Sequence, residues 1–104
     1  MEEISQGMLE DMIDSDQTLV VDFYASWCGP CKMMHPVIEK EGEKHKNVKF
    51  VRVNVEDAYD FCEKNNIASI PTIIVYKNKK ETNRTMGLMS SDDFHQFIEL
   101  SINQ

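Results

Sequence analysis

Two cysteines separated by two residues, Cys28 and Cys31, are the part of the sequence best suited to covalent chemistry. They lie in the segment Trp27–Cys31, after an apolar run of strand length and at the start of a helix-forming stretch. The first turn of a helix has unpaired N–H groups and the positive end of the helix dipole, which together stabilise a thiolate at Cys28. Because a thiolate is the species that attacks a disulfide, the segment predicts thiol–disulfide exchange.

The two residues between the cysteines fit that position. Gly29 allows another backbone to approach closely, and Pro30 suits the first helical turn, where its missing N–H costs nothing. An isolated pair with this spacing is also compatible with half of a zinc site or with two structural thiols. A zinc module remains an alternative because His35 and Cys62 would complete a Cys3His set, although the ligands would have to converge from separate elements. We assign no chemistry to the histidines themselves, which are His35, His45 and His95.

The elements that would hold this segment follow from hydrophobic spacing and helix-start signals. Predicted helices cover residues 5–13, Cys31 to about His45 with a kink at Pro36, 56–65, and a last stretch that begins at Ser90 and contains Phe94, Phe97, Ile98 and Ile102. Predicted strands cover 19–25, 48–55, 72–76 and 81–86, the last two joined by a polar turn over 77–80. Helices and strands alternate and then finish with a hairpin and a helix, which predicts a small α/β fold.

Length and charge narrow the class of protein. The chain has 104 residues, and its 11 Lys and Arg against 18 Asp and Glu give a net charge of −7, which disfavours nucleic acid or an anionic membrane as partner. The first residues lack the positive start and apolar stretch of a secretory signal, and three cysteines do not suit a secreted disulfide scaffold. We expect one domain over residues 1–104, located in the cytoplasm.

Around the cysteine pair, the sequence resembles the thioredoxin family. The segment Val21–Ala25 before the pair, Lys32 and Pro36 after it, Ile70–Thr72 and Gly87 all fall where thioredoxins have equivalents. The resemblance extends from about residue 4 to the end. It implies the thioredoxin fold, an α/β architecture in which helices flank a central mixed β-sheet.

The resemblance also implies an activity, which is the reduction of protein disulfides. Cys28 would attack the substrate disulfide and Cys31 would resolve the mixed disulfide. No cofactor would be bound: the redox group is the Cys28–Cys31 disulfide, recharged from NADPH by a thioredoxin reductase. Expected partners are that reductase and disulfide-containing targets such as peroxiredoxins, and the protein is expected to be a monomer. The alternatives are an oxidant or isomerase of the same fold, and a non-catalytic interaction protein.

Asp22 is the most informative residue outside the cysteine segment. A carboxylate within the apolar run 19–25 is expected to be buried, and desolvation would raise its pKa. By resemblance, this is the buried aspartate of the family, which would accept the proton of Cys31. The alternative is a strand aspartate that faces solvent or forms a salt bridge. Arg52 lies at a position near this aspartate where other thioredoxins have different polar residues, which bears on the pKa of Asp22.

A substrate-contacting surface is implied around the sulfurs. In thioredoxins the proline equivalent to Pro71 is cis and faces the disulfide, and the residue before it offers backbone groups to an extended substrate segment. The residues expected to contact substrate are Trp27, Gly29, Pro30, Ile70, Pro71 and Gly87. Met86 and Leu88 flank this set and fit either the contact surface or hairpin and core packing.

Three further expectations concern Cys62, the first edge strand and the turn over 77–80. Cys62 lies on the inward face of its predicted helix, where a free cysteine behaves as a small hydrophobic residue. The N-terminus is a few residues shorter than is usual in the family, so the first edge strand should be short or absent. The turn over 77–80 contains no glycine, so any residue there with φ > 0 would be strained or would force another turn type.

Overall fold

Five strands form one mixed sheet in the computed structural model, which describes residues 1–104. The strands are β1 (Glu2–Glu3), β2 (Leu19–Tyr24), β3 (Lys49–Asn54), β4 (Thr72–Lys77) and β5 (Lys80–Met86), in the spatial order β1-β3-β2-β4-β5. The helices are α1 (Gln6–Asp14), α2 (Gly29–Gly42), α3 (Tyr59–Lys64) and α4 (Ser91–Ile102). β3 runs parallel to β1 and β2, whereas β4 is antiparallel to β2 and β5. The predicted mixed sheet with flanking helices is confirmed. None of the helices combines the length and apolar character that crossing a membrane requires.

The side chains of β2 alternate between the two faces of the sheet, and each face is covered by two helices. α1 and α3 pack on one face, where the core contains Leu9, Leu19, Val21, Phe23, Val51, Val53, Phe61, Cys62, Ile74 and Tyr76. α2 and α4 pack on the other, with a core of Val20, Met34, Ile38, Ile73, Val75, Phe94, Phe97 and Ile98. Because β2 is buried along its whole length, the loop that follows it starts from a rigid central strand.

Most boundaries lie within one residue of the predicted ones, and the larger differences are in α2 and α3. α2 begins at Gly29 because Cys28 caps it, and it ends at Gly42. Just after that end, backbone hydrogen bonds of the i→i+3 type replace the α-helical ones. It is continuous through Pro36. The predicted helix over 56–65 is split: the side chain of Asn54 caps a 3-10 turn over Val55–Asp57, and α3 follows. Residue 55 therefore belongs to this turn and not to the strand.

The first strand and the turn between β4 and β5 both agree with what the sequence predicted. β1 has only two residues, as expected for a short first edge strand. At the turn between β4 and β5, Asn78 and Lys79 both have positive φ, 56° and 66°. Such a turn matches the twist of a hairpin. Asparagine tolerates this backbone region, whereas Lys79 adopts it at a steric cost. The chain keeps the left-handed turn without a glycine.

Candidate active site

The start of α2 places both cysteines at the end of the central strand. Cys28 is the N-cap of α2, with Pro30 in the first turn, and it forms a disulfide with Cys31 across a Cα–Cα distance of 5.3 Å. The Sγ of Cys28 also accepts a hydrogen bond of 3.2 Å from the backbone N–H of Cys31. Cys28 is 5% exposed and Cys31 only 1%. Both residues are buried in the oxidised protein, Cys31 more completely than Cys28.

The loop before β4 lies against the same sulfur. The carbonyl oxygen of Ile70 is 4.0 Å from the Sγ of Cys28, and the Ile70–Pro71 peptide bond is cis, as the resemblance implied. Gly87 donates its backbone N–H to the carbonyl of Pro71 at 2.9 Å, and its φ of 84° is a conformation that favours glycine. The hydroxyl of Thr72 donates to the carbonyl of Ser69 at 2.6 Å. These bonds hold the Ile70 backbone beside the disulfide.

Exposed apolar side chains lie next to Cys28 in the chain and on both sides of Gly87. We define the contact surface by the predicted residues Trp27, Gly29, Pro30, Ile70, Pro71 and Gly87, together with Met86 and Leu88. Trp27 is 69% exposed, and a Cβ added at Gly29 or Gly87 would meet nothing within 4 Å. Pro71 is itself buried, whereas Ile70 is half-buried. No cavity lies at the sulfurs. An open, cavity-free surface suits a protein segment better than a small molecule.

Met86 and Leu88 are both exposed, at the end of β5 and just beyond it. The alternative that they pack in the core is therefore wrong. Contiguous apolar patches at the surface mark interaction sites, whereas single exposed apolar side chains are normal. The structure thus places both side chains on the solvent side of the hairpin end, next to Gly87.

Asp22 is fully buried in β2, and neither of its carboxylate oxygens has a hydrogen-bond partner. It alternates with Val21 and Phe23, so its side chain points to the sheet face that α2 covers. Desolvation raises the pKa of Asp22 to about 7, against an opposing effect of the positive charge on Arg52. The predicted burial and raised pKa are confirmed, and the solvent-facing alternative is wrong.

Arg52 lies beside Asp22 on β3 but does not form a salt bridge with it. Its guanidinium instead stacks on the ring of Tyr24, with the central carbon 3.6 Å from the ring centroid. The Tyr24 hydroxyl donates in turn to the carboxylate of Glu3. The salt-bridge alternative for Asp22 is therefore wrong as well, and Arg52 acts on Asp22 only through its charge.

Comparison with known proteins gives the family of this chain. Residues 2–100 match the family model described as thioredoxin. The chain belongs to the thioredoxin family. The thioredoxin of Mycoplasma genitalium is 41% identical to it over 85 residues, which cover 82% of this chain and 83% of that protein. Thioredoxins are protein-disulfide reductases with a redox-active cysteine pair, and this chain is one: its pair is Cys28 and Cys31, which act by dithiol–disulfide exchange on disulfide-containing targets.

Solved structures agree with that assignment. Plasmodium falciparum thioredoxin superimposes with a TM-score of 0.88 at 33% identity, covering 96% of this chain and 98% of that chain. A second neighbour comes from a study of the thiol resolving mechanism in a yeast mitochondrial 1-Cys peroxiredoxin via glutathione/thioredoxin systems. It has a TM-score of 0.85 at 26% identity, and the match covers 95% of this chain and 93% of the other. The thioredoxin fold predicted from the sequence is confirmed.

The zinc-module alternative is wrong. Cys28 and Cys31 are joined to each other, whereas Cys62 belongs to the core on the opposite face of the sheet from α2. Cys62 is a free, buried thiol, and burial raises its pKa. A thiol that is buried and protonated does not take part in exchange.

We expect the substitution Cys62→Ala to leave disulfide reduction unchanged and to lower the free energy of unfolding by about 1 kcal/mol, because it removes one buried sulfur atom from a packed core. Denaturant unfolding and insulin reduction, measured on the same preparation, test this. A wild-type dimer that reducing agent dissolves and that Cys62→Ala does not form would contradict the packing role.

The sequence did not reveal one cluster, formed by Glu41, His45 and His95. Glu41 is 3% exposed, and a ring nitrogen of each histidine lies 2.6 Å from its Oε2. The spacing of Glu41 and His45, four residues apart on a predicted helix, was a signal that could have suggested their contact. His95 is on α4, 54 residues from Glu41, and its spacing gives no such signal.

Proposed function

We propose that Cys28 is the attacking thiol and Cys31 the resolving thiol. The thiolate of Cys28 attacks a substrate disulfide, forming a mixed disulfide and releasing one substrate sulfur as a thiolate, which takes a proton from solvent. The sulfur of Cys31 then attacks that of Cys28, which forms the Cys28–Cys31 disulfide and releases the second substrate sulfur. The observation that carries this assignment is the greater exposure of Cys28, at the N-cap of α2.

Asp22 is the proton acceptor for Cys31 in this proposal. Its carboxylate takes the proton of the Cys31 thiol as that sulfur attacks, and later returns the proton to solvent. Three features support the role: Asp22 faces the side of the sheet that α2 covers, its oxygens have no competing partner, and its pKa of about 7 suits proton transfer near neutral pH.

The substrates are protein disulfides presented on an extended segment. Such a segment would lie on the contact surface and hydrogen-bond to the backbone of Ile70, next to the Cys28 sulfur. Flexible methionine side chains such as that of Met86 suit a surface that must accept many partners. The structural neighbour from the peroxiredoxin study supports peroxiredoxins as one class of target. The net charge of −7 disfavours nucleic acid or an anionic membrane as partner.

Electrons are supplied by NADPH through a thioredoxin reductase, and the protein works in the cytoplasm as a monomeric single domain over residues 1–104. Membership of the thioredoxin family supports a thioredoxin reductase as the electron donor. The test is insulin reduction driven by NADPH and a purified thioredoxin reductase. Turnover with dithiothreitol but not with the reductase would leave the exchange chemistry intact and refute this route of recharging.

A matched pair of leucines tests the contact surface. Leu88 is 54% exposed beside Gly87, and Leu100 is 67% exposed on the outer side of α4, next to Glu99 and Asn103. We expect Leu88→Asp to lower kcat/KM for insulin roughly fivefold, since truncating or charging a central interface residue commonly costs about 1 kcal/mol. Leu100→Asp should leave kcat/KM unchanged. Equal values for both variants would show that substrates do not dock beside Leu88.

A further inference from the structure

Two imidazoles converge on one buried carboxylate where the C-terminal part of α2 meets α4. The Nε2 of His45 and the Nδ1 of His95 each donate to the Oε2 of Glu41 at 2.6 Å. One potential ligand atom from each of the three residues lies within 4.8 Å of the other two. This cluster is separate from the redox site, because Glu41 lies about 15 Å along the axis of α2 from Cys31.

The surroundings hold the three side chains in place. Glu41 is buried, and the His45 side chain is only 9% exposed and stacks on Phe50. Gly42 packs directly against Phe50, since an added Cβ would lie 3.1 Å from that ring. The backbone of α2 therefore fixes both Glu41 and, through Phe50, the ring of His45. A site with two rigid ligands loses little conformational entropy when an ion binds.

The side chains of His95 and Lys44 are partly exposed, so the cluster is accessible from solvent on their side. His95 is 41% exposed, and its other nitrogen, Nε2, lies 3.5 Å from the carboxylate of Glu99. Metal-binding histidines commonly have such a carboxylate behind the ring, which orients it and raises its basicity. Lys44 is the one cation near the carboxylate, with its Nζ 3.6 Å from the Oε1 of Glu41. Its side chain is 57% exposed, so the ammonium can move into solvent when a cation enters.

We propose that Glu41, His45 and His95 form a binding site for a divalent transition-metal ion, best matched by Zn²⁺. Two histidines and one glutamate are a protein ligand set that binds zinc, with water at the fourth position. In a tetrahedral site the ligand atoms are about 3.3 Å apart, so the ring nitrogens need to withdraw from Glu41 by less than about 1 Å. The exposed ring of His95 has room for that movement. The ion would replace the two N–H···O bonds, with the proton of each ligating nitrogen moving to the other ring nitrogen or to solvent, and would link α2 to α4.

The test is a calorimetric titration of Zn²⁺ into the oxidised protein, in which the disulfide keeps Cys28 and Cys31 from binding metal. We expect one Zn²⁺ per chain, and an increase in Tm of roughly 10 °C when free Zn²⁺ is 100 times Kd. His95→Ala and Glu41→Gln should each weaken binding at least about tenfold. The matched control is His35→Ala, because His35 pairs with Glu39 four residues away on the same helix but has no second imidazole nearby.

The results distinguish this site from the alternatives. Binding retained in His35→Ala and lost in His95→Ala, with an unchanged circular dichroism spectrum, supports the site. Overturning results are a wild-type protein that does not bind Zn²⁺, so that the cluster is only hydrogen-bonded, or binding that survives in His95→Ala. Insulin reduction should be equal in wild type and His95→Ala, because the site lies away from the sulfurs. Failure of this proposal therefore leaves the redox proposal untouched.

Discussion

Cys28→Ser is expected to abolish disulfide reduction, and Cys31→Ser to trap substrates as covalent complexes. Without the Cys28 thiolate no sulfur at the α2 N-cap can attack, so insulin turnover should fall by at least about a thousandfold. In Cys31→Ser the attack by Cys28 still occurs, but nothing displaces the substrate. Mixed disulfides should then accumulate one per chain, visible by mass spectrometry and by gel electrophoresis without reducing agent.

The control for the trap is Cys62→Ala, which should turn over normally and form no covalent complexes, because its buried thiol is not part of the exchange. Native turnover by Cys31→Ser would show that resolution comes from a thiol in solution and that the two-step assignment is wrong. Trapping by Cys28→Ser would show that the roles of the two cysteines are reversed.

Asp22→Asn is expected to stabilise the oxidised protein at neutral pH and to slow its turnover. Burial raises the folded pKa of Asp22 to about 7, above the unfolded value of 3.8. Below pH 4 the carboxyl group is neutral in both states and has no effect on unfolding. Between pH 4 and pH 7 it is charged in the unfolded chain and neutral in the folded one, so the penalty grows with pH and is complete above pH 7. Asparagine removes the charge and keeps the side-chain size.

The expected gain in the free energy of unfolding is about 2–4 kcal/mol above pH 7, and it should vanish near pH 4. Denaturant unfolding of wild type and Asp22→Asn at several pH values measures it. Arg52→Leu is a second informative variant. It removes the positive charge that lowers the pKa of Asp22, so that pKa should rise further. A gain that is the same at pH 4 and pH 8 would mean that packing, and not ionisation, sets the stability of the variant.

The rate of mixed-disulfide resolution in Asp22→Asn shows whether Asp22 acts as a proton acceptor or is only a buried carboxylate. Loss of the base should reduce resolution by roughly 10²-fold, the usual lower scale for general base catalysis. It should also remove the rise in rate between pH 6 and pH 8 that accompanies ionisation of Asp22. The measurement is the rate at which a preformed mixed disulfide is resolved. Equal rates for wild type and Asp22→Asn would refute the proposed role while leaving the stability effect standing.

Local sequence patterns determined most of the elements. The continuous apolar runs in β2 and β4 predicted buried central strands, because a strand covered on both faces has no solvent-exposed face that would carry polar side chains. The serine at position 90 predicted the start of α4, where its hydroxyl accepts from the N–H of Asp93. The Trp27–Cys31 segment between a strand and a helix start predicted a disulfide-exchanging pair, although the cysteine spacing alone also allowed a zinc site. These features depend on residues a few positions apart, so the sequence alone could reveal them.

Tertiary structure decided the contacts between distant residues. Cys28 and the Ile70 carbonyl are 42 residues apart, and only the sheet order brings them together. The run around Asp22 predicted its burial, but its lack of any partner depends on Arg52, which stacks on Tyr24 instead. His95 reaches Glu41 only because α4 packs beside α2. A side chain's neighbours across elements depend on how the faces pack, and hydrophobic periodicity specifies the face of a residue but not the residue opposite.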